Sequence, residues 1–234
     1  MKLLNTQNAK TVKGNKRGYL TGILYLASSD ESGYQVCPMA KKAGCDAPCL
    51  DFAGRGQFAK TRASRIRKTR LYFENRRLFL EMLRKDIKAL IRKADRENLT
   101  PCVRLNGTSD LPWYEIIEEF PNLQFYDYTK IEMRAINVSN STYLSNYHVT
   151  FSAGKHTTDK EITEHLRNGR NVAIVFNEKF PRETALIDYL YQPVVDGNET
   201  DLRFLDPRGV IVALTATGKA RKDKGGFVRN VNNY

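Results

Sequence analysis

Apolar residues occur as one short run near Tyr19, in a helical rhythm between Phe58 and about Arg96, and in alternating strand-length and helix-length segments after Pro101. The run Tyr19 to Ala27 has the length of a strand and is bounded by Gly18 and by the turn residues Ser28-Ser29-Asp30. From Phe58 onward, Ile66, Phe73, Leu80, Leu83, Ile87, Leu90 and Ile91 recur at helical spacing. Glu74-Asn75 divides that stretch into two predicted helices, with Asn75 as the N-cap of the second. Beyond Pro101 the predicted strands are Cys102 to Leu105, Leu123 to Tyr128, Tyr147 to Phe151, Val172 to Phe176, and a last region holding Val194-Val195 and Gly209 to Leu214. Leu111 to Phe120, Ile131 to Ile136, Lys160 to Asn168 and Arg182 to Tyr191 are the predicted helices between them.

Strands alternating with helices predict an α/β fold, a parallel sheet with right-handed crossovers. A complete eight-unit barrel usually takes ~250 residues, so a partial (β/α) barrel suits this chain better. No repeat or linker divides the sequence, and a single domain over 1–234 is expected. Residues 1–18 look like a loosely held basic lead-in, and 219–234 like a basic, glycine-containing flexible arm.

Charge changes the picture. The 234 residues carry a net charge of +12, which points to polyanionic surroundings without specifying a fold. Much of it lies on the first long helix, where Arg62, Arg65, Arg67, Lys68 and Arg70 form a candidate nucleic-acid surface, the plainer alternative being a solvated helix face. No run approaches the ~20 apolar residues of a membrane span, and the polar N-terminus has no signal-peptide core. Four cysteines are too few for a disulfide scaffold. A cytoplasmic protein with clustered thiols is therefore expected.

Three of those thiols, Cys37, Cys45 and Cys49, share one loop that Pro38, Gly44, Pro48 and Gly54 keep irregular. Metal ligation explains such a cluster in a reducing compartment, and Lys41 and Lys42 favour the thiolate that binds metal. Unrelated thiols or a stray disulfide are the alternative. Zinc would need a fourth ligand, from Cys102 or one of His148, His156 and His165, whereas an iron–sulfur cluster on three cysteines leaves one iron open. Cys102, inside an apolar strand, is expected to be a buried core residue.

In parallel sheets functional groups collect beyond the carboxyl ends of the strands. Asn106, Gly107, Ser109 and Asp110 follow one predicted strand, and Asp127 and Lys130 end the next. These are candidate pocket residues, with Ser109 or Asp110 as a simple helix cap the competing reading.

Taken together, Cys37 to Gly56, the segment Arg65-Ile66-Arg67-Lys68-Thr69 and the segment Arg104 to Trp113 resemble the phage "gene product 88" family, a resemblance that runs from about Leu20 to Thr215. It implies a phage or prophage origin, and hence the host cytoplasm, more than a reaction. The three cysteines followed by Ser109-Asp110-Leu111 and Thr129-Lys130 resemble, more distantly, the radical-SAM partial barrels. That resemblance implies a [4Fe-4S] cluster on Cys37, Cys45 and Cys49, S-adenosylmethionine at its open iron, and the strand-end polar residues around the cofactor. The cysteine spacing here is seven and then three residues, against the three and two usual in that group. The expected function is an iron–sulfur protein acting on nucleic acid or a nucleotide. Its competitors are a non-catalytic nucleic-acid-binding protein with a structural zinc, and a phage protein that binds a host factor.

Overall fold

The computed structural model describes residues 1–28, 31–49, 54–179, 190 and 192–231. Its centre is one eight-stranded sheet in the order β1-β2-β3-β4-β5-β6-β8-β7. The strands are β1 (Leu4–Asn5), β2 (Tyr19–Leu24), β3 (Thr100–Arg104), β4 (Gln124–Thr129), β5 (Tyr147–Ser152), β6 (Val172–Phe176), β7 (Val194–Asp196) and β8 (Ile211–Thr215). Only β1 pairs antiparallel; every other neighbour runs parallel. The fold is therefore mixed α/β with a mostly parallel sheet, open at its β1 and β7 edges.

The helices are α1 (Ala9–Asn15), α2 (Ala40–Ala43), α3 (Ala59–Glu74), α4 (Arg76–Arg96), α5 (Tyr114–Glu119), α6 (Glu132–Ser139) and α7 (Asp159–Arg167). Phe79, Leu80, Leu83, Ile87, Leu90 and Ala94 form the buried stripe of α4, and Asn75 caps it by accepting from the Leu78 amide at 3.1 Å. That stripe packs on Leu20 and Leu24 of β2, Val103 of β3, Leu105 just beyond it and Phe125 of β4, which share one face. Ile162 and Leu166 of α7 cover Phe151, Val172, Ile174, Phe176, Ile211 and Ala213 on the same side. The opposite face carries Cys102 and Tyr126 against Leu202 and Phe204, so the segment around the 3-10 turn Arg203–Leu205 covers it.

Three expectations change. The lead-in is not loose: Leu3 and Leu4 are buried, their amides donate to Asp86, and Asn8 closes a capping box on α1. Nor does the tail hang free. Residues Gly218–Lys222 form a 3-10 turn, and the Arg229 amide and carbonyl pair with Val175 and Asn177 along β6. On α3 the buried face is Thr69 and Tyr72, while Phe73 is exposed and stacks on Tyr34 at 4.6 Å. Thr69 replaces an apolar contact because its hydroxyl accepts the Ala27 amide at 2.9 Å, tying α3 to the end of β2. The helix expected over 182–191 falls almost wholly on residues outside those described.

Candidate thiol site at the carboxyl edge of the sheet

The three-cysteine loop follows β2 and lies at the edge where the parallel strands end. Val36 anchors it: this residue is buried, and its carbonyl accepts the Asp110 amide at 2.8 Å. The α2 turn ends at Gly44, whose φ of +73° is left-handed and suits glycine. The Ala43 carbonyl accepts the Lys155 amide at 2.9 Å, and a Cβ on Gly154 would stand 2.7 Å from that of Ala43. The loop is thus seated on the ends of β3 and β5. Cys37 Sγ faces the Thr108 carbonyl at 3.5 Å, and Cys45 Sγ the Ala40 carbonyl at 3.7 Å.

None of the four cysteines is in a disulfide in this structure. Cys102 is buried 3.2 Å from the Thr21 hydroxyl, on the face covered by Leu202, as its apolar strand predicted. Lys130 is the common neighbour of the other three. Desolvation lowers its pKa, only partly opposed by the acidic groups of Cys45, Asp110, Cys37 and Cys49. Its ammonium donates to the Ser152 carbonyl and hydroxyl at 3.2 and 3.0 Å and to the Ala153 carbonyl at 3.1 Å. The Phe227 ring lies 4.8 Å away. Burial raises the Cys45 thiol against the pull of Lys130, and pushes Cys49 up to about 11, opposed by a hydrogen bond from Ser28 and by the nearby Arg65. Both are thiols at neutral pH in this state, so binding of a metal would release their protons. Among the described residues no three His, Cys, Asp or Glu side chains are gathered closely enough to hold a metal ion.

The other candidate pocket residues are together, but their polar atoms are committed to the protein. Asn106 accepts from Ser109 Oγ, the Leu111 amide and Trp113 Nε1, and donates to the Leu111 carbonyl. Asp127 accepts the Asn106 amide at 2.7 Å, the Asn106 side chain at 3.3 Å and the Tyr147 hydroxyl at 3.2 Å. Asp110 accepts from Thr129, from the Lys130 amide and from Arg134. Together these bonds brace the loops after β3 and β4. Gly107 allows a close approach between the loops after β2 and β3: a Cβ there would stand 2.7 Å from both the Leu24 carbonyl and Tyr25 Cδ1. Gly107→Ala should therefore cost about 1–3 kcal/mol through overpacking, read as a lower urea midpoint; an unchanged midpoint would mean that the two strands can part at no cost.

Sequence reasoning missed Arg134, Tyr147 and the ion pair of Arg104 with Asp201 at 2.6 Å. The Arg104 guanidinium lies over the Tyr128 ring, on the face that the 203–205 turn covers. An arginine between Val103 and Leu105 was the available signal.

The basic helix is less of a surface than its composition suggests. Arg62 pairs with Glu31, Arg65 lies over the Tyr25 ring at 4.8 Å, and Lys68 donates to the Leu3 carbonyl at 2.8 Å. Arg70 reaches the Ser32 carbonyl at 3.4 Å, and Arg67 is exposed. No helix among the described residues is long and apolar enough to cross a membrane.

No curated protein and no solved structure matches this chain. The seated cysteine loop, the Arg-rich α3 and the braced Arg104 to Trp113 segment all lie within the stretch 2–230 that matches the model of the family described as Gene product 88, and the chain belongs to that family.

Proposed function

We propose that this is an iron–sulfur protein of phage type, built on a partial (β/α) barrel and acting on nucleic acid or a nucleotide. The observation that supports it is the seating of the loop that carries Cys37, Cys45 and Cys49 on the ends of β3 and β5, at the carboxyl edge of a parallel sheet, with all three thiols acting on the ionisation of Lys130. The donor chemistry fits: three soft thiolates offset by Lys130 and Arg65 suit iron and sulfide. The thiols stand apart in this structure, so the loop 37–49 would draw in as the group binds, coupling its order to the site. With three thiolates one iron stays open, and S-adenosylmethionine bound there would supply one-electron chemistry.

The chain's own residues have separate tasks in this reading. Cys37, Cys45 and Cys49 ligate, Lys130 balances their charge, and the Asn106–Asp110–Asp127 network holds the loops from which the ligands and Lys130 project. Phe227 shields the Lys130 ammonium from water.

His156 favours a second reading, a non-catalytic protein with a structural zinc. Its Nδ1 is buried without a hydrogen-bond partner two residues after Gly154, which abuts α2, and a Cys3His set is a closed zinc site. Anaerobic purification followed by iron, sulfide and zinc analysis separates the two. Iron and sulfide with a visible chromophore are expected, lost in Cys37→Ser, Cys45→Ser and Cys49→Ser and kept in Cys102→Ser. Stoichiometric colourless zinc that His156→Ala removes would overturn the cluster.

A further inference from the structure

The cations of α3 are largely engaged in holding the chain together, so the excess positive charge has to be sought elsewhere. Three segments reach the carboxyl edge around the thiol loop: α2 after β2, the turn after β5, and the tail after β8. They meet at Lys155. Its amide donates to the Ala43 carbonyl at 2.9 Å; a Cβ on Gly44 would lie 2.8 Å from Lys155 Cδ, and one on Gly226 3.7 Å from its Cβ. Lys41, Lys42, Lys155, Arg221, Lys222 and Lys224 are all exposed on these segments, and among the described residues none is ion-paired. Of the neighbouring acids, Asp159 holds Arg229 at 2.6 Å and Asp223 accepts the Gly225 and Val228 amides at 3.1 and 2.9 Å, which leaves Asp46 beside Cys45 as one negative charge against these six cations.

We infer that this rim, and not the face of α3, is where the phosphate backbone of a single-stranded nucleic acid docks. The inference rests on the nucleic-acid reading above and gives it a location. A backbone seated on the cations of α2, Lys155 and the tail lies across the thiol loop and Lys130, which brings a nucleotide to the site; on α3 it is Arg65 that neighbours Cys49, whereas the exposed Arg67, two residues on, projects from the other side of the helix. Contacts of this kind are sequence-independent and salt-sensitive.

The test is fluorescence anisotropy of a labelled single-stranded oligonucleotide with the full-length, metal-free protein over a range of salt. Lys41→Glu/Lys42→Glu/Lys155→Glu is expected to weaken binding at least about tenfold and to flatten the salt dependence by about two counterions, at ~0.7 per phosphate contact. Arg67→Glu/Arg92→Glu, of equal charge change per site on α3 and α4, is expected to bind within about twofold of the parent. Equal weakening by both sets, the reverse order, or no binding by the parent at low salt would overturn the rim. Circular dichroism of each variant confirms that it is folded. Metal-free protein keeps the two questions apart, because absence of iron would defeat the cluster and leave this comparison intact.

Discussion

Asp110→Asn should lower the free energy of unfolding by about 3–5 kcal/mol, the usual cost of removing one member of a buried ion pair. Asp110 is 7% exposed and Arg134 9%. The carboxylate accepts from Arg134, from the Thr129 hydroxyl at 2.8 Å and from the Lys130 amide at 2.9 Å. Burial raises its pKa, and Arg134 opposes that most strongly. An amide in its place sets a donor against one of these donors and leaves the guanidinium buried without its counter-ion. Arg134→Met in the same background should recover part of the loss, since it removes the stranded charge. Urea denaturation of the two single variants and the double variant measures both effects. A loss under about 1 kcal/mol in Asp110→Asn would show that the pair contributes no more than a surface bridge.

The same variant bears on the thiol site. The Asp110 amide is bonded to the Val36 carbonyl, next to Cys37, while its side chain fixes the start of the loop carrying Lys130. Any loss of metal in Asp110→Asn therefore reports a displaced scaffold and not a lost ligand. Replacing Lys130 by Met separates the roles, because it removes the charge beside the thiols and leaves the Asp110 bonds in place.

How much of this was legible in the sequence depended on whether the deciding contact was local. The α4 helix was plain, because Leu80, Leu83, Ile87 and Leu90 are spaced by its own period and Asn75 caps it three residues away. The parallel strands were legible for the same reason. The N-terminal strand was not: two residues, Leu4 and Asn5, make no periodic signal, and the carboxylate that holds the Leu3 and Leu4 amides is Asp86, more than eighty residues on. The tail gave no signal either, as its attachment to β6 is through backbone groups that every residue shares. At the site, the rule that strand ends carry function picked out Asn106, Asp110, Asp127 and Lys130, which stand together on the loops after β3 and β4. Their division of labour was hidden, because it depends on partners in other elements: Trp113, Arg134 and Tyr147 for the first three, Ser152 and the thiols for Lys130. Residue type announces a capacity for hydrogen bonds, and only packing decides whether a ligand or the protein receives them.

Asp127 carries the second large effect, in the pH dependence of stability. It is 1% exposed, and burial pushes its carboxyl up to about 7, with Arg104, the Asn106 amide and the Tyr147 hydroxyl pulling it back. Its unfolded value is near 3.9. Because the folded value is the higher one, the native state holds the proton more tightly. The corresponding stability is complete below the unfolded value and is lost as pH rises through about 7. The shift corresponds to about 4 kcal/mol between those limits, at 1.36 kcal/mol per unit. His148 and His165 act in the opposite sense: burial lowers both to about 4, so they add stability as pH rises from there to their ordinary value near 6.5. The profile of the parent alone therefore mixes opposing slopes, and the comparison with Asp127→Asn isolates the carboxyl. The amide keeps an acceptor for the Asn106 N–H and a donor for the Tyr147 hydroxyl, and it does not ionise. Measured by urea denaturation, the variant should gain on the parent by about 3 kcal/mol between pH 5 and pH 8, two units of the shift. A difference between the two proteins that stays constant across that range would place the Asp127 proton outside the titration and return the pH response to the other shifted groups, the two histidines and Lys68, which burial lowers to about 8.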